Sequence, residues 1–181
     1  MRPTLVVLHY TAMRSAQAAI ERLCDPVAEV SAHYMIARTG EVTQLVDEAL
    51  RAWHAGAGEW HGQDDINSRS IGIELDNGGF HPFPEAQMSA LEMLLSGLLT
   101  RWDIASDGVI GHSDMAPGRK IDPGPHFDWA RLARQGLAAA EPAISDGDPA
   151  LAGYTCAASP QDLKQAIALR WGRLGATLRT G

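Results

Sequence analysis

Residues 4–9 form an almost unbroken apolar run, Leu5-Val6-Val7-Leu8, closed by a histidine. That is the pattern of a strand buried on both faces in the middle of a mixed sheet, with His9 at its exit. Ser15 is placed to cap a helix over residues 16–23. Asp25-Pro26 ends it, because proline disfavours helical backbone in the residue before it. Two extended segments, 31–38 and 41–46, flank Thr39-Gly40 and predict a β-hairpin. Residues 70–75 resume a strand pattern, with Glu74 set at the edge of an otherwise apolar element, and a buried acid calls for a reason. Over residues 84–102, Met88, Leu91, Leu94, Leu95 and Leu98 recur at three- and four-residue spacing, one apolar stripe of a helix that packs on the sheet. Val109-Ile110 is a short strand, and residues 127–140 read as a further helix after Pro125.

Between these elements, residues 51–69 lose periodicity and turn to Trp, His, Gly, Asn and Asp, the composition of a long substrate-facing loop. Residues 141–160 have the Pro, Gly, Ser and Asp content of a linker, and 161–177 carry apolar residues at helical spacing. The expected organisation is a compact α/β catalytic domain over residues 1–140, a linker over 141–160 and a C-terminal helical extension over 161–181.

Composition narrows the function classes. The chain has 181 residues, 45% of them hydrophobic, enough for a proper core. Its formal charge of −7 removes the general electrostatic grip that nucleic acid or anionic lipid requires. No apolar stretch is long enough to span a bilayer, and the N-terminus runs into a strand without a charged leader, so a cytoplasmic address is expected. Cys24 and Cys156 are too few and too separated for a disulfide framework and read as structural thiols.

The candidate chemistry sits on one glycine- and proline-rich loop, Gly111-His112-Ser113-Asp114 followed by Pro117-Gly118-Arg119-Lys120-Ile121-Asp122-Pro123-Gly124. Two imidazoles, His9 and His112, with the Asp122 carboxylate make an open site for a divalent metal such as zinc, which keeps one position free for water. Hydrolysis also needs a group that moves protons, for which Glu74 is the candidate, and a cation beside the developing oxyanion, for which Lys120 is. Each residue also has a plainer reading. His9 is equally a hydrogen-bonded histidine at a strand end, His112 a loop residue, Asp122 a turn former before proline, and Glu74 the partner of a core arginine. Lys120 with Arg119 is equally a solvated basic patch.

In order along residues 4–136, Val7-Leu8-His9-Tyr10-Thr11-Ala12, Val30-Ser31-Ala32-His33-Tyr34, Arg51-Ala52-Trp53-His54-Ala55-Gly56, Ser70-Ile71-Gly72-Ile73-Glu74 and Gly111-His112-Ser113-Asp114 resemble the segments of zinc-dependent N-acetylmuramoyl-L-alanine amidases of type 2. The resemblance implies a single mixed β-sheet flanked by helices, the fold shared with peptidoglycan recognition proteins. It implies zinc at His9, His112 and Asp122 and catalytic roles for Glu74 and Lys120. Phage-type relatives carry Cys at the third ligand and Tyr in the acid–base role, so Asp122 and Glu74 point to the AmpD- and AmiD-like branch. The implied reaction cuts the amide between the lactyl group of N-acetylmuramic acid and L-alanine in peptidoglycan fragments or muropeptides. Lack of an export signal favours recycling of internalised fragments.

Four further residues are candidates for the substrate groove. His33 and His54 recur in the family-like segments, and either lines the groove or orients a zinc ligand; a packed structural histidine is the alternative. Trp60 offers a face for a sugar ring, and Asn67 a contact for the peptide stem. Two other functions share this sequence pattern. A non-catalytic peptidoglycan-binding module of the same fold is disfavoured by the complete set of five site residues. An autolytic or phage-derived wall lysin differs only in substrate.

Overall fold

The computed structural model describes residues 1–139. The expected linker and C-terminal extension, and Cys156, lie outside the described residues. Five strands form one mixed sheet: β1 (Leu5–Tyr10), β2 (Tyr34–Ile36), β3 (Val42–Gln44), β4 (Ser70–Leu75) and β5 (Val109–Gly111). Their order is β3-β2-β4-β1-β5, with β2, β4, β1 and β5 parallel and only β3 antiparallel to its neighbour. Four helices accompany the sheet: α1 (Ala16–Cys24), α2 (Glu85–Trp102), α3 (His112–Met115) and α4 (Trp129–Arg134).

The two faces of the sheet follow from strand alternation. On β1, Val6 and Leu8 share a cluster with Ile71, Ile73 and Leu75 of β4 and with Met88, Leu91, Leu95 and Leu98 of α2. Burying each of these leucines contributes roughly 1.5–3 kcal/mol, which explains why the α2 stripe specifies the docking. Leu94, at the margin of that stripe, is only partly buried. The other face carries Leu5 and Val7 against Ala55, Ile66, Ile110 and Met115. Ser70, Gly72 and Glu74 alternate with the buried isoleucines of β4, so they belong to this second face.

Several elements differ from expectation in extent. The paired part of the hairpin covers only Tyr34–Ile36 and Val42–Gln44. The helix expected over 127–140 is cut to Trp129–Arg134, because the Asp128 side chain accepts from the Arg131 N–H and starts it there. Gly136, at φ +70°, then closes it with Leu137 N–H donating to the Leu132 carbonyl. The 51–69 segment is less of a free loop than its composition suggests, since Ile66 is fully buried and Asn67 nearly so. Cys24 is exposed at the end of α1 and is not a structural thiol packed in the core.

A buried carboxylate ties the far end of the sheet to α2. Glu48 accepts from the Tyr34 hydroxyl, from Arg101 at 2.8 and 2.9 Å and from the Trp102 indole N–H. Burial pushes the Glu48 carboxyl up, but the hydrogen bonds from Arg101, Tyr34 and Trp102 outweigh it and bring it down to about 2. A carboxyl depressed in the folded state contributes stability above its unfolded value of about 4.5 and loses it as pH falls toward 2. Glu48→Ala is therefore expected to destabilise the fold by about 3 kcal/mol at pH 7 and by much less at pH 3, read from urea unfolding at the two pH values.

Candidate metal centre and groove

Parallel pairing brings the site together. His9 lies opposite Glu74 in the β1–β4 register, and Leu8 opposite Gly111 in the β1–β5 register. The carboxyl ends of β1, β4 and β5 therefore reach one edge of the sheet, where side chains past the strands converge. His112 starts α3 directly after β5. The return loop is held by Ser113 N–H donating to the Asp122 carbonyl at 2.9 Å, while Gly111 N–H donates to the Asp114 carboxylate at 2.7 Å.

Three ligand atoms meet there. His9 Nδ1 and His112 Nδ1 are 2.8 Å apart, and Asp122 Oδ2 is 3.0 Å from each. All three residues are buried, and one donor atom from each lies within 4.8 Å of the others. Burial lowers His9 to about 4, with Asp122 acting in the opposite direction, so the ring is neutral near pH 7. His112 Nε2 lies 2.9 Å from the Ala55 carbonyl oxygen, an atom that only accepts. His112 therefore donates from Nε2, and in the neutral ring Nδ1 is left as a bare lone pair beside a carboxylate oxygen. Two nitrogens and one oxygen crowded this closely are unfavourable alone and favourable around a cation, and this donor set suits a divalent metal.

Glu74 stands beside this cluster in an unusual state. Its Oε2 is buried without a hydrogen-bond partner among the described residues. Burial, followed by the nearby Asp122 charge, raises its carboxyl to about 8, and Lys120 only partly offsets them. An uncompensated carboxyl is tolerated where a further group is to be met. A groove of about 550 Å3 opens over the cluster, and Glu74, Lys120 and all three ligand candidates line it.

The remaining candidates fall into different places. His54 lines the groove and also touches His9, with its Nδ1 3.0 Å from His9 Nε2. His33 and Asn67 are beneath the groove, where neither can meet a ligand directly. His33 Nδ1 accepts from Gly72 N–H, so its Nε2 donates to the Leu50 carbonyl; Asn67 Oδ1 accepts from the backbone N–H groups of His54 and Ala55. Trp60 stacks on His61 and packs on the Leu5 and Val7 face, away from the groove lining.

Side chains outside the candidate set also line the groove. Trp53, 55% exposed, lines the groove under the Arg51 guanidinium, 4.2 Å from its ring centre. Tyr10 and Ile121, neighbours of His9 and Asp122, line it as well. Their adjacency to the candidate ligands was the available signal. Arg119 also differs from a solvated patch, since its guanidinium donates to the Ala55 carbonyl at 2.7 Å and to that of Ala57.

The family model described as N-acetylmuramoyl-L-alanine amidase matches residues 1–125. The N-acetylmuramoyl-L-alanine amidase AmiD of Escherichia coli (strain K12) is 39% identical over 154 residues, covering 76% of this chain and 55% of that protein. The chain thus spans about half the length of that relative. The 1,6-anhydro-N-acetylmuramyl-L-alanine amidase AmpD of Enterobacter cloacae is 37% identical over 148 residues, covering 72% and 79% respectively. A solved complex of AmiD from E. coli with the substrate anhydro-N-acetylmuramic acid-L-Ala-D-gamma-Glu-L-Lys superposes with a TM-score of 0.76 at 37% identity, covering 86% of this chain and 65% of that one.

Proposed function

The chain belongs to the N-acetylmuramoyl-L-alanine amidase family, and from that premise we propose that it hydrolyses the amide between the lactyl group of N-acetylmuramic acid and L-alanine in muropeptides. The observation that carries this reading is the convergence of His9, His112 and Asp122 next to the Glu74 carboxyl, whose Oε2 has no hydrogen-bond partner among the described residues, inside one groove. His9, His112 and Asp122 would hold the zinc ion. Zinc bound there supplies a Lewis acid that polarises the scissile carbonyl and acidifies water.

The protein's own groups handle the protons and charge. Glu74, ionised, takes a proton from the attacking water; the carboxylic acid so formed returns it to the departing alanine nitrogen. A proton affinity raised toward neutral pH suits that exchange, because the carboxyl must take up a proton and then give it back without being held far to either side. Lys120 lines the groove and adds fixed positive charge for the developing oxyanion. Water adds across the C–N bond, giving a lactyl carboxylate and an ammonium on the released alanine, with no covalent enzyme intermediate. Trp53 and Tyr10 offer aromatic faces for the sugar and stem. The same proposal takes residues 1–140 as the catalytic domain and a cytoplasmic location, which cell fractionation reads. Among the described residues, no helix is long and apolar enough to cross a membrane.

The test is to incubate zinc-loaded protein with soluble anhydromuropeptides and with intact sacculi, and to identify products by mass. Release of intact stem peptides from the soluble fragments is expected. Cleavage within the glycan or the peptide overturns the bond assignment. Binding without turnover identifies a non-catalytic module, and preferential attack on sacculi identifies a wall lysin.

A further inference from the structure

His9 and His112 both present Nδ1 to the candidate metal centre. An imidazole nitrogen holds a cation only when it carries no proton, so each ring must keep its hydrogen on Nε2. For His112 the Ala55 carbonyl settles this directly. His9 Nε2 instead faces another imidazole nitrogen, His54 Nδ1, which is able either to donate or to accept.

The choice is made two residues further out. Ser70 Oγ is 2.6 Å from the Ile66 carbonyl oxygen and 3.2 Å from His54 Nε2. A hydroxyl has one hydrogen, and a carbonyl oxygen cannot supply one, so Ser70 donates to Ile66 and accepts from His54 Nε2–H. With the His54 hydrogen committed to Nε2, the neutral form of the ring presents a bare Nδ1 to His9. His9 must then donate from Nε2, which strips its Nδ1 of hydrogen on the side of the metal centre.

The arrangement is built into the fold. A Cβ on Gly72 would lie 2.3 Å from His54 Cγ, so the ring occupies space that any other residue at 72 would fill. Asn67, buried, accepts from the backbone N–H groups of both His54 and Ala55, at 3.0 and 2.9 Å. Adjacent residues thus govern the two candidate ligands, His54 through its ring and Ala55 through its carbonyl, and one carboxamide holds both in place.

We propose that His54 and Ser70 are positioning residues, a relay from the Ile66 carbonyl that fixes His9 in the tautomer with a bare Nδ1 and so prepares the metal centre before any metal arrives. The inference rests on the metal-site reading above, but its first test needs neither metal nor substrate. Nitrogen-15 NMR of metal-free wild-type protein is expected to show His9, His54 and His112 all protonated at Nε2 and bare at Nδ1. In Ser70→Ala, His9 is expected to become a mixture of tautomers while His112 is unchanged. Zinc affinity, measured against a competing chelator, is expected to fall about 10- to 100-fold. A His9 proton on Nδ1 in the wild type overturns the proposal, as does a folded Ser70→Ala protein with unchanged His9 tautomer and zinc affinity. Should Ser70→Ala fail to fold, the wild-type spectrum decides alone. Expected tautomers in a protein that cleaves no muropeptide would overturn the amidase function and leave the relay standing.

Discussion

Glu74→Gln is expected to lower amide cleavage by about 10³-fold while the protein keeps its full complement of metal. The substitution is nearly isosteric and touches none of the three candidate ligands. It removes the groove carboxyl to which the proposed mechanism gives the proton transfers between water and the leaving nitrogen. Turnover assays paired with metal analysis check both halves, and a variant of near wild-type rate would remove Glu74 from the mechanism. Lys120→Ala is expected to behave alike, with metal retained and most turnover lost, because charge beside the oxyanion matters in the transition state more than in the folded ground state.

The same carboxyl has a stability signature in the metal-free protein. Its folded value of about 8 lies above the unfolded 4.5, so between those values the folded state binds a proton that the unfolded state has released. Stability from this group is thus full below about pH 4.5, falls as pH rises through the window, and levels off above 8. Glu74→Gln removes the dependence, and the metal-free variant is expected to be more stable than wild type at pH 9, by an amount on the order of 4 kcal/mol at most, and equal to it at pH 4. Thermal unfolding at the two pH values reads the difference.

His112→Ala and Asp122→Ala are expected to fail differently, by losing the metal itself. Removing one donor from an N, N, O set leaves two, too few to hold a catalytic divalent ion against water, and activity should fall by at least about 10³-fold. Atomic absorption on the purified variants separates this outcome from that of Glu74→Gln. Retention of stoichiometric metal by either ligand variant would show that the ion is held elsewhere. Dialysis of wild-type protein against a chelator should reproduce the loss, and added zinc should reverse it.

What a linear chain encodes most directly is burial and local backbone preference. The apolar run of β1, the stripe of α2 and the Ser15 cap were legible because each is written within one element. The five candidate site residues were legible through the order of their motifs. The helix ending early at Gly136 and the exposed Cys24 were not, since each depends on a turn or a surface that periodicity does not describe.

Tertiary structure alone decided which atoms face which. His9 and His112 stand 103 positions apart in the chain and meet because β1 pairs in parallel with both β4 and β5. His33 and Asn67 went beneath the groove and Trp53 onto it, although composition gives loop residues no direction. Which ring nitrogen carries a proton, or how tightly a carboxyl holds one, depends on partners and burial supplied by distant segments. Identity of the candidate site residues was therefore present in the sequence, and the surroundings that set their protonation came only from folding.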